Sequence, residues 1–243
     1  MRCYSIKVLI VLMLGMGSIP SAIARDTAFN AKHAAIIFPY PMYKEKWRSS
    51  IGLTLLTTPE EITEELRQRI PCGEFHLLRR INNHLNLTGK ISFQVLQNHI
   101  AAGFRYVKPI NDKFYFSVGD DIGYWFGFLR IDGFKSRASG LLNYPNASLG
   151  YKTAKDLLIT LKAQASVNLH YEAAIGENQY ASGNIFYNGE AITLALEQPF
   201  YNQRHLTLAF SAINNFFYWQ TWALFYKTKR KVFYPQITVG FIL

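Results

Sequence analysis

The feature that most restricts the fold is a fifteen-residue run, Leu157–Tyr171, in which apolar and polar residues alternate with a period of two. This period places successive side chains on opposite faces of a β-strand. One face carries Leu157, Ile159, Leu161, Ala163, Ala165, Val167, Leu169 and Tyr171. The other carries Thr160, Lys162, Gln164, Ser166, Asn168 and His170. Strands in globular sheets usually have ~3–10 residues, so this length is more typical of a barrel whose tilted strands cross a membrane and protrude from it.

Shorter runs with the same alternation recur along the chain and favour an antiparallel meander. The composition agrees, because 49% hydrophobic and only 17% charged residues exclude a disordered chain. We count about ten strands in residues 47–243. Twelve is the alternative if Glu74–Ile81 and Tyr180–Tyr187 are additional strands, the second of them followed by a hairpin turn at Asn188-Gly189. The sequence therefore predicts an all-β chain that forms a closed antiparallel up-and-down barrel.

Residues 1–24 have the organisation of a secretory signal peptide. Arg2 and Lys7 form a short basic region before the apolar run of residues 8–16, and residues 21–24 supply the small-x-small pattern that a signal peptidase accepts. We predict cleavage after residue 24, a tail or plug segment over residues 25–46, and the barrel over residues 47–243. After cleavage Cys72 is the single cysteine, which excludes an internal disulfide and a zinc site of the CxxC type.

The end of the chain carries the most specific pattern. One face of the last strand holds Phe233, Ile237, Val239, Phe241 and Leu243. This segment resembles the closing strand of bacterial outer-membrane β-barrel proteins, which has alternating apolar residues and a terminal aromatic residue. Here Leu243 stands at the last position and Phe241 two residues before it. The resemblance implies a transmembrane barrel in the bacterial outer membrane, with Phe241 and Leu243 in the signal that the barrel-insertion machinery reads.

Two features favour lipid outside the barrel and water inside. The polar face of the longest run is continuous, and aromatic residues cluster near the presumed strand ends, as in the girdles of membrane barrels. We therefore predict that the lumen is lined by Lys162, Gln164, Ser166, Asn168 and His170. A soluble barrel would reverse the two faces and turn Leu161 and Leu169 inward.

The sequence offers little support for catalysis. Ser166 and His170 share a face, but residues four apart on a strand are separated by ~13 Å, too far for a nucleophile and its base. Asp120-Asp121 lies between glycines and is predicted to occupy a polar loop or bulge. The histidines are dispersed without a metal-binding motif. We predict no catalytic residue, no metal and no cofactor.

The chain has 26 Lys+Arg against 16 Asp+Glu, a net charge of +10. Because the basic residues are dispersed, we expect no nucleic-acid binding. We expect contact with outer-membrane lipid and anionic lipopolysaccharide, with the barrel-insertion machinery, and with a small solute. The leading hypothesis is a non-enzymatic outer-membrane barrel with a structural role in the envelope or a role as a narrow solute conduit. The alternatives are an outer-membrane lipid-modifying hydrolase and a soluble secreted lipid-binding barrel.

Overall fold

The structure is a computed structural model that describes residues 36–43, 46–58, 69–94, 97–131, 133–154, 156–199, 205–216 and 231–242. These ranges contain ten strands: β1 (Trp47–Thr57), β2 (Arg69–Arg80), β3 (Leu85–Phe93), β4 (Gln97–Pro109), β5 (Phe114–Ile131), β6 (Phe134–Lys152), β7 (Leu158–Ile175), β8 (Asn178–Pro199), β9 (His205–Asn215) and β10 (Val232–Ile242). Consecutive strands pair antiparallel, and β1 also pairs with β10, so the sheet closes on itself. The predicted ten-stranded up-and-down barrel is confirmed. No helix among the described residues is long and apolar enough to cross a membrane.

Apolar side chains cover the outside of the barrel. On β1 Ile51 is 48% exposed, whereas Thr54 on the opposite face is 2% exposed. On β7 Leu161 is 52% exposed, whereas Thr160 is fully buried. Apolar residues on the outside and polar residues on the inside are the arrangement of a transmembrane barrel, and the reverse of that in a soluble barrel.

Four neighbouring strands rise above the rest of the barrel. Strands β5 to β8 have 18, 19, 18 and 22 residues, whereas the other described strands have between 9 and 13. The additional length forms two tall hairpins, whose turns contain Gly133 and Gly176 at φ values of +84° and +60°. Glycine adopts these values without a steric penalty. On the inner side of the tall wall, Trp125 and Leu142 belong to a buried apolar cluster.

The predicted hairpin turn at Asn188-Gly189 is wrong, because β8 continues through it. Ser166 pairs with Gly189 and Val167 pairs with Tyr187, so Asn188 is one additional residue in β8. This is a β-bulge, which bends a strand without ending it. The Asn188 side chain is fully buried, as expected for a residue that the bulge turns away from solvent.

Two further predictions are corrected. Glu74 lies within β2, so Glu74–Ile81 is not an extra strand but falls almost entirely inside one of the ten. Asp120 and Asp121 lie in the middle of β5, paired with β4 and β6 without a register shift, and not in a loop or bulge. Adjacent strand residues point to opposite faces, so only Asp121 lines the interior.

Candidate functional site in the barrel interior

The barrel interior contains a cavity of about 400 Å³. Side chains from strands on all sides line it, among them Lys90, His99, Asp121, Tyr144 and Lys162. The lining therefore mixes acids, bases and neutral polar groups within an apolar outer shell. A water-accessible polar chamber of this size can hold a small solute.

One end of the barrel interior is filled by residues 36–43, which we call the plug segment. Its residues Phe38 and Met42 are fully buried. The residues that contact it lie near the start of β5 and β7 and near the end of β8, which is the end opposite the tall hairpins. The plug segment therefore closes the chamber from the side of the barrel where β4–β5 and β6–β7 are connected.

Glu197 fixes the backbone of the plug segment. Its Oε1 accepts hydrogen bonds from the backbone N–H groups of Ile36 at 2.9 Å and Ile37 at 3.1 Å, and its Oε2 accepts one from that of Phe38 at 2.6 Å. The Thr207 hydroxyl donates to Oε1 at 3.2 Å. Glu197 is fully buried, so these four donors supply the compensation that a buried carboxylate requires.

Arg105 holds the same turn of the plug segment from the other side. Its Nη1 donates to the carbonyl oxygen of Ile36 at 2.8 Å and to that of Ile37 at 3.3 Å. The Glu197 carboxylate accepts from the N–H groups of residues 36–38, and the Arg105 guanidinium donates to the carbonyl oxygens of residues 36 and 37. Together they provide hydrogen bonds that a neighbouring strand would otherwise supply. Glu197 and Arg105 thus hold residues 36–38, and Arg80 on β2 donates to the carbonyl oxygens of Met42 and Tyr43 at the other end of the plug segment.

Aromatic packing completes the closure. The Phe38 ring lies edge-on to Tyr115 with centroids 5.2 Å apart, and Tyr40 packs on the same ring at 5.3 Å. Phe38 reaches this position because residue 150 is glycine: a Cβ there would lie 2.6 Å from the Phe38 ring.

Glu74 is the centre of a second buried cluster. Its carboxylate accepts from Lys90 Nζ at 2.8 Å, His76 Nε2 at 3.0 Å and Ser92 Oγ at 3.5 Å. Nucleophilic catalysis by serine requires the hydroxyl to contact the histidine and the histidine to contact the acid. Here the acid stands between the two, so the cluster is a structural ion-pair network and not a triad.

Asp121 is held by neutral donors on two other strands. The Thr88 hydroxyl on β3 donates to Oδ1, and Asn146 Nδ2 on β6 donates to Oδ2 at 3.3 Å. The intervening strand β4 has Gly103 at the crossing point, where a Cβ would lie 2.5 Å from Asp121 Oδ1. The missing side chain lets the Asp121 carboxylate reach across β4.

Three of the five predicted lumen residues, Lys162, Gln164 and Ser166, line the cavity. Asn168 is fully buried and donates to the carbonyl oxygen of Asn184 at 3.4 Å.

His170 lies outside the cavity, in contrast to the predicted lumen-facing position. Leu141 pairs with His170 and Leu142 pairs with Asn168, so Leu169 is an additional residue that reverses the alternation. The His170 side chain is 45% exposed and hydrogen-bonds to Asn184 at 3.0 Å and Glu172 at 3.1 Å.

The remaining site predictions concern the last strand and metals. Phe241 points outward and is 43% exposed, and Leu243 lies outside the described residues. Within the described ranges, no group of three His, Cys, Asp or Glu side chains is arranged to hold a metal ion.

Sequence reasoning missed the acids and bases that organise the interior: Glu74, Lys90, Arg105, Asp121 and Glu197. A signal existed for Glu197, since it continues the polar face of a run in which Ile192, Leu194 and Leu196 alternate with other residues. No local pattern could show that its partner is the backbone of residues 36–38, more than 150 positions away.

No family model and no curated protein sequence matches the chain at a significant level. Several solved structures do resemble it in fold. The translocator domain of the autotransporter NalP from Neisseria meningitidis has a TM-score of 0.45 and 10% identity, and the match covers 82% of this chain and 89% of that one. The KdgM porin has a TM-score of 0.39 and 10% identity, over 79% of this chain and 97% of that one. LpxR from Salmonella typhimurium has a TM-score of 0.37 and 7% identity, over 80% and 99%.

These structures are bacterial outer-membrane β-barrels. At such identities and TM-scores the likeness is one of barrel architecture, and it says nothing about activity.

Proposed function

We propose that the chain is an integral barrel of the bacterial outer membrane whose lumen is a narrow conduit for small solutes, closed at one end by the plug segment. The observation that carries the proposal is a chamber of about 400 Å³, with charged and polar side chains in its wall, inside an apolar shell. The plug segment is held there by side-chain contacts of the wall and not by strand pairing.

The outer surface supports the membrane location. A closed barrel pairs the backbone N–H and C=O groups of its strands, which lipid cannot do. This barrel presents large, exposed apolar side chains on nine of its ten described strands. A soluble barrel with this surface would expose a continuous apolar band far larger than the patches that soluble monomers carry. The same proposal includes export by residues 1–24, contact with lipopolysaccharide, and recognition of Phe241 by the insertion machinery.

The interior supports a non-enzymatic role. In the cluster where Ser92 and His76 both hydrogen-bond Glu74, the acid stands between the serine and the histidine, which is the wrong order for nucleophilic catalysis. An interior with charged and hydrogen-bonding side chains in its wall is what a conduit for small polar solutes requires.

Planar-bilayer recordings of the full-length chain test this function. We expect rare, small openings for the wild type and more frequent openings for Phe38→Ala, because Phe38 fills the closed end of the lumen. The matched control is Phe210→Ala on the outer face of β9, where the ring is 44% exposed. Absence of openings in Phe38→Ala, in protein that shows the heat-modifiable gel mobility of a folded barrel, would reject the conduit.

A further inference from the structure

A row of hydroxyl side chains crosses five adjacent strands inside the barrel, with a lysine in its middle. Ser117 on β5 pairs with Ser148 on β6, and Ser148 pairs with Lys162 on β7. On the other side, Lys162 pairs with Thr193 on β8, and Thr193 pairs with Ser211 on β9. All five side chains line the cavity. Directly paired residues have Cβ atoms only ~4.5–5.5 Å apart, so the lysine stands between two hydroxyls on one surface.

The hydroxyls on either side of Lys162 have a donor to spare. Ser117 Oγ and Ser148 Oγ are 2.7 Å apart, and Thr193 Oγ1 and Ser211 Oγ are 2.8 Å apart. Each pair has two hydroxyl protons and uses one of them between its own oxygens. In the part of the chain that the structure describes, the remaining proton of each pair has no acceptor, so one O–H on each side of the lysine can donate to a ligand.

Lys162 also differs from the other interior cations. Lys90 is paired with Glu74 at 2.8 Å. Arg105 also lines the cavity, but its Nη1 donates to the plug segment, and its Nε and Nη2 atoms are buried. The ammonium of Lys162 forms no hydrogen bond or ion pair with any described residue. Asp121, the acid whose field acts most on Lys162, is already bonded to two neutral donors.

We propose that Lys162, with the hydroxyls of Ser148 and Thr193, is a binding site for one anionic group of a small solute, either a carboxylate or a phosphate. The ammonium supplies charge and three donors, and the flanking hydroxyls supply one donor each. A chamber of about 400 Å³ accepts a molecule that is somewhat larger than the anionic group itself. The assignment names the substrate class of the conduit and rests on the proposed function for its biological meaning.

Equilibrium binding to the full-length chain in detergent micelles tests the site. Sodium phosphate and sodium acetate are titrated separately at constant ionic strength, with glycerol as a neutral probe and ethanolamine as a cationic one. We expect saturable binding of one or both anions and none of the other two. Lys162→Gln should weaken anion binding by about tenfold to a hundredfold, because it removes a charge-assisted set of hydrogen bonds. Lys162→Arg should retain most of it.

Lys113→Gln is the matched control, because Lys113 is exposed in the turn between β4 and β5, and it should bind as the wild type does. Unchanged anion affinity in Lys162→Gln, or equal binding of ethanolamine, overturns the site. If Lys162→Gln does not assemble, Thr193→Val and Ser148→Ala carry the same test with the charge retained. Unchanged affinity in both of these variants also overturns the site.

The two proposals fail separately. Anion binding without conductance in bilayers supports the Lys162 site and rejects the conduit. Conductance without anion binding in the same preparation rejects the Lys162 site and leaves the conduit standing.

Discussion

Glu197→Gln should release the plug segment from the barrel wall. The carboxylate accepts hydrogen bonds from three consecutive backbone N–H groups, those of Ile36, Ile37 and Phe38, and from the Thr207 hydroxyl. An amide has the same shape, but one of its two positions is a donor. In either orientation at least one N–H of the plug segment then faces an NH₂ group.

The magnitude follows from the geometry. In the better orientation the amide oxygen takes the place of Oε1 and keeps three bonds, while the Phe38 N–H loses its 2.6 Å partner. A buried donor without an acceptor costs about 1–3 kcal/mol, and the three remaining bonds lose their charged acceptor. Together these effects weaken docking of the plug segment by about 2–4 kcal/mol, which raises the undocked fraction by ~30- to 1,000-fold.

A buried thiol measures this fraction. Ile36 is 6% exposed, so Ile36→Cys in a Cys72→Ser background should react slowly with a membrane-impermeant maleimide while the plug segment is docked. We expect Glu197→Gln to accelerate labelling by the factor above. The control is Glu190→Gln on the same strand, where the side chain is 38% exposed, binds Lys231 at 2.6 Å and makes no contact with the plug segment.

Equal labelling rates in Glu197→Gln and in its parent would show that the carboxylate does not hold the plug segment. Equal acceleration by Glu190→Gln would show that any charge loss on β8 loosens the barrel, and the specific role of Glu197 would again be refuted.

Two further substitutions test the interior networks by urea unfolding, followed through heat-modifiable gel mobility. Gly103→Ala places a Cβ 2.0 Å from the Asp120 carbonyl oxygen and 2.5 Å from Asp121 Oδ1, so it should lower the free energy of unfolding by about 1–3 kcal/mol. Gly89→Ala, whose Cβ has 3.6 Å to its nearest neighbour, should have little effect. Equal losses of stability in the two variants would refute the tight packing of β5 against Gly103. Lys90→Met leaves the Glu74 carboxylate, which is 5% exposed, without its lysine partner and should lower the free energy of unfolding by about 3–5 kcal/mol. Glu74→Gln in the same chain should restore part of that stability. Additive losses in the double variant would contradict the pairing of Lys90 with Glu74.

The fold could be predicted from the sequence because the two faces of a barrel strand meet different surroundings, which select apolar and polar residues in alternation. Leu161 and Lys162 differ in polarity because one meets lipid and the other meets the lumen, and no long-range contact is needed to infer this. Closure followed because lipid leaves no other way to pair the backbone groups at strand edges. The even number of strands followed from the bacterial barrels that the sequence resembles.

Bulges limited the prediction. A strand that contains one additional residue exchanges its two faces from that point onward. Asn188-Gly189 has the composition of a hairpin turn, and only the pairing of Ser166 with Gly189 and Val167 with Tyr187 shows that the strand continues. Such an event depends on the register of the neighbouring strands, which local sequence does not specify.

The interior partners were unpredictable for a different reason. Alternation assigns a side chain to the lumen, but it does not say how far across the lumen the side chain reaches. That distance depends on the residues that the side chain must pass. Asp121 contacts Thr88 because Gly103, between them, has no side chain. Phe38 packs against Tyr115 because Gly150 has none. In this barrel the inward-facing glycines Gly103 and Gly150 therefore determine which interior side chains come into contact.

The same reasoning explains why Lys162 is left for a ligand. Its neighbours in register are Ser148 and Thr193, which are neutral and therefore cannot balance its positive charge. The interior acids are each occupied elsewhere, Glu74 by Lys90 and Asp121 by neutral donors. A cation that faces an open chamber, with hydroxyl donors on both sides and no ion pair to a described acid, is stabilised by an anion that enters. The arrangement that leaves this lysine unpaired within the described fold therefore also makes the chamber selective for the sign of its solute.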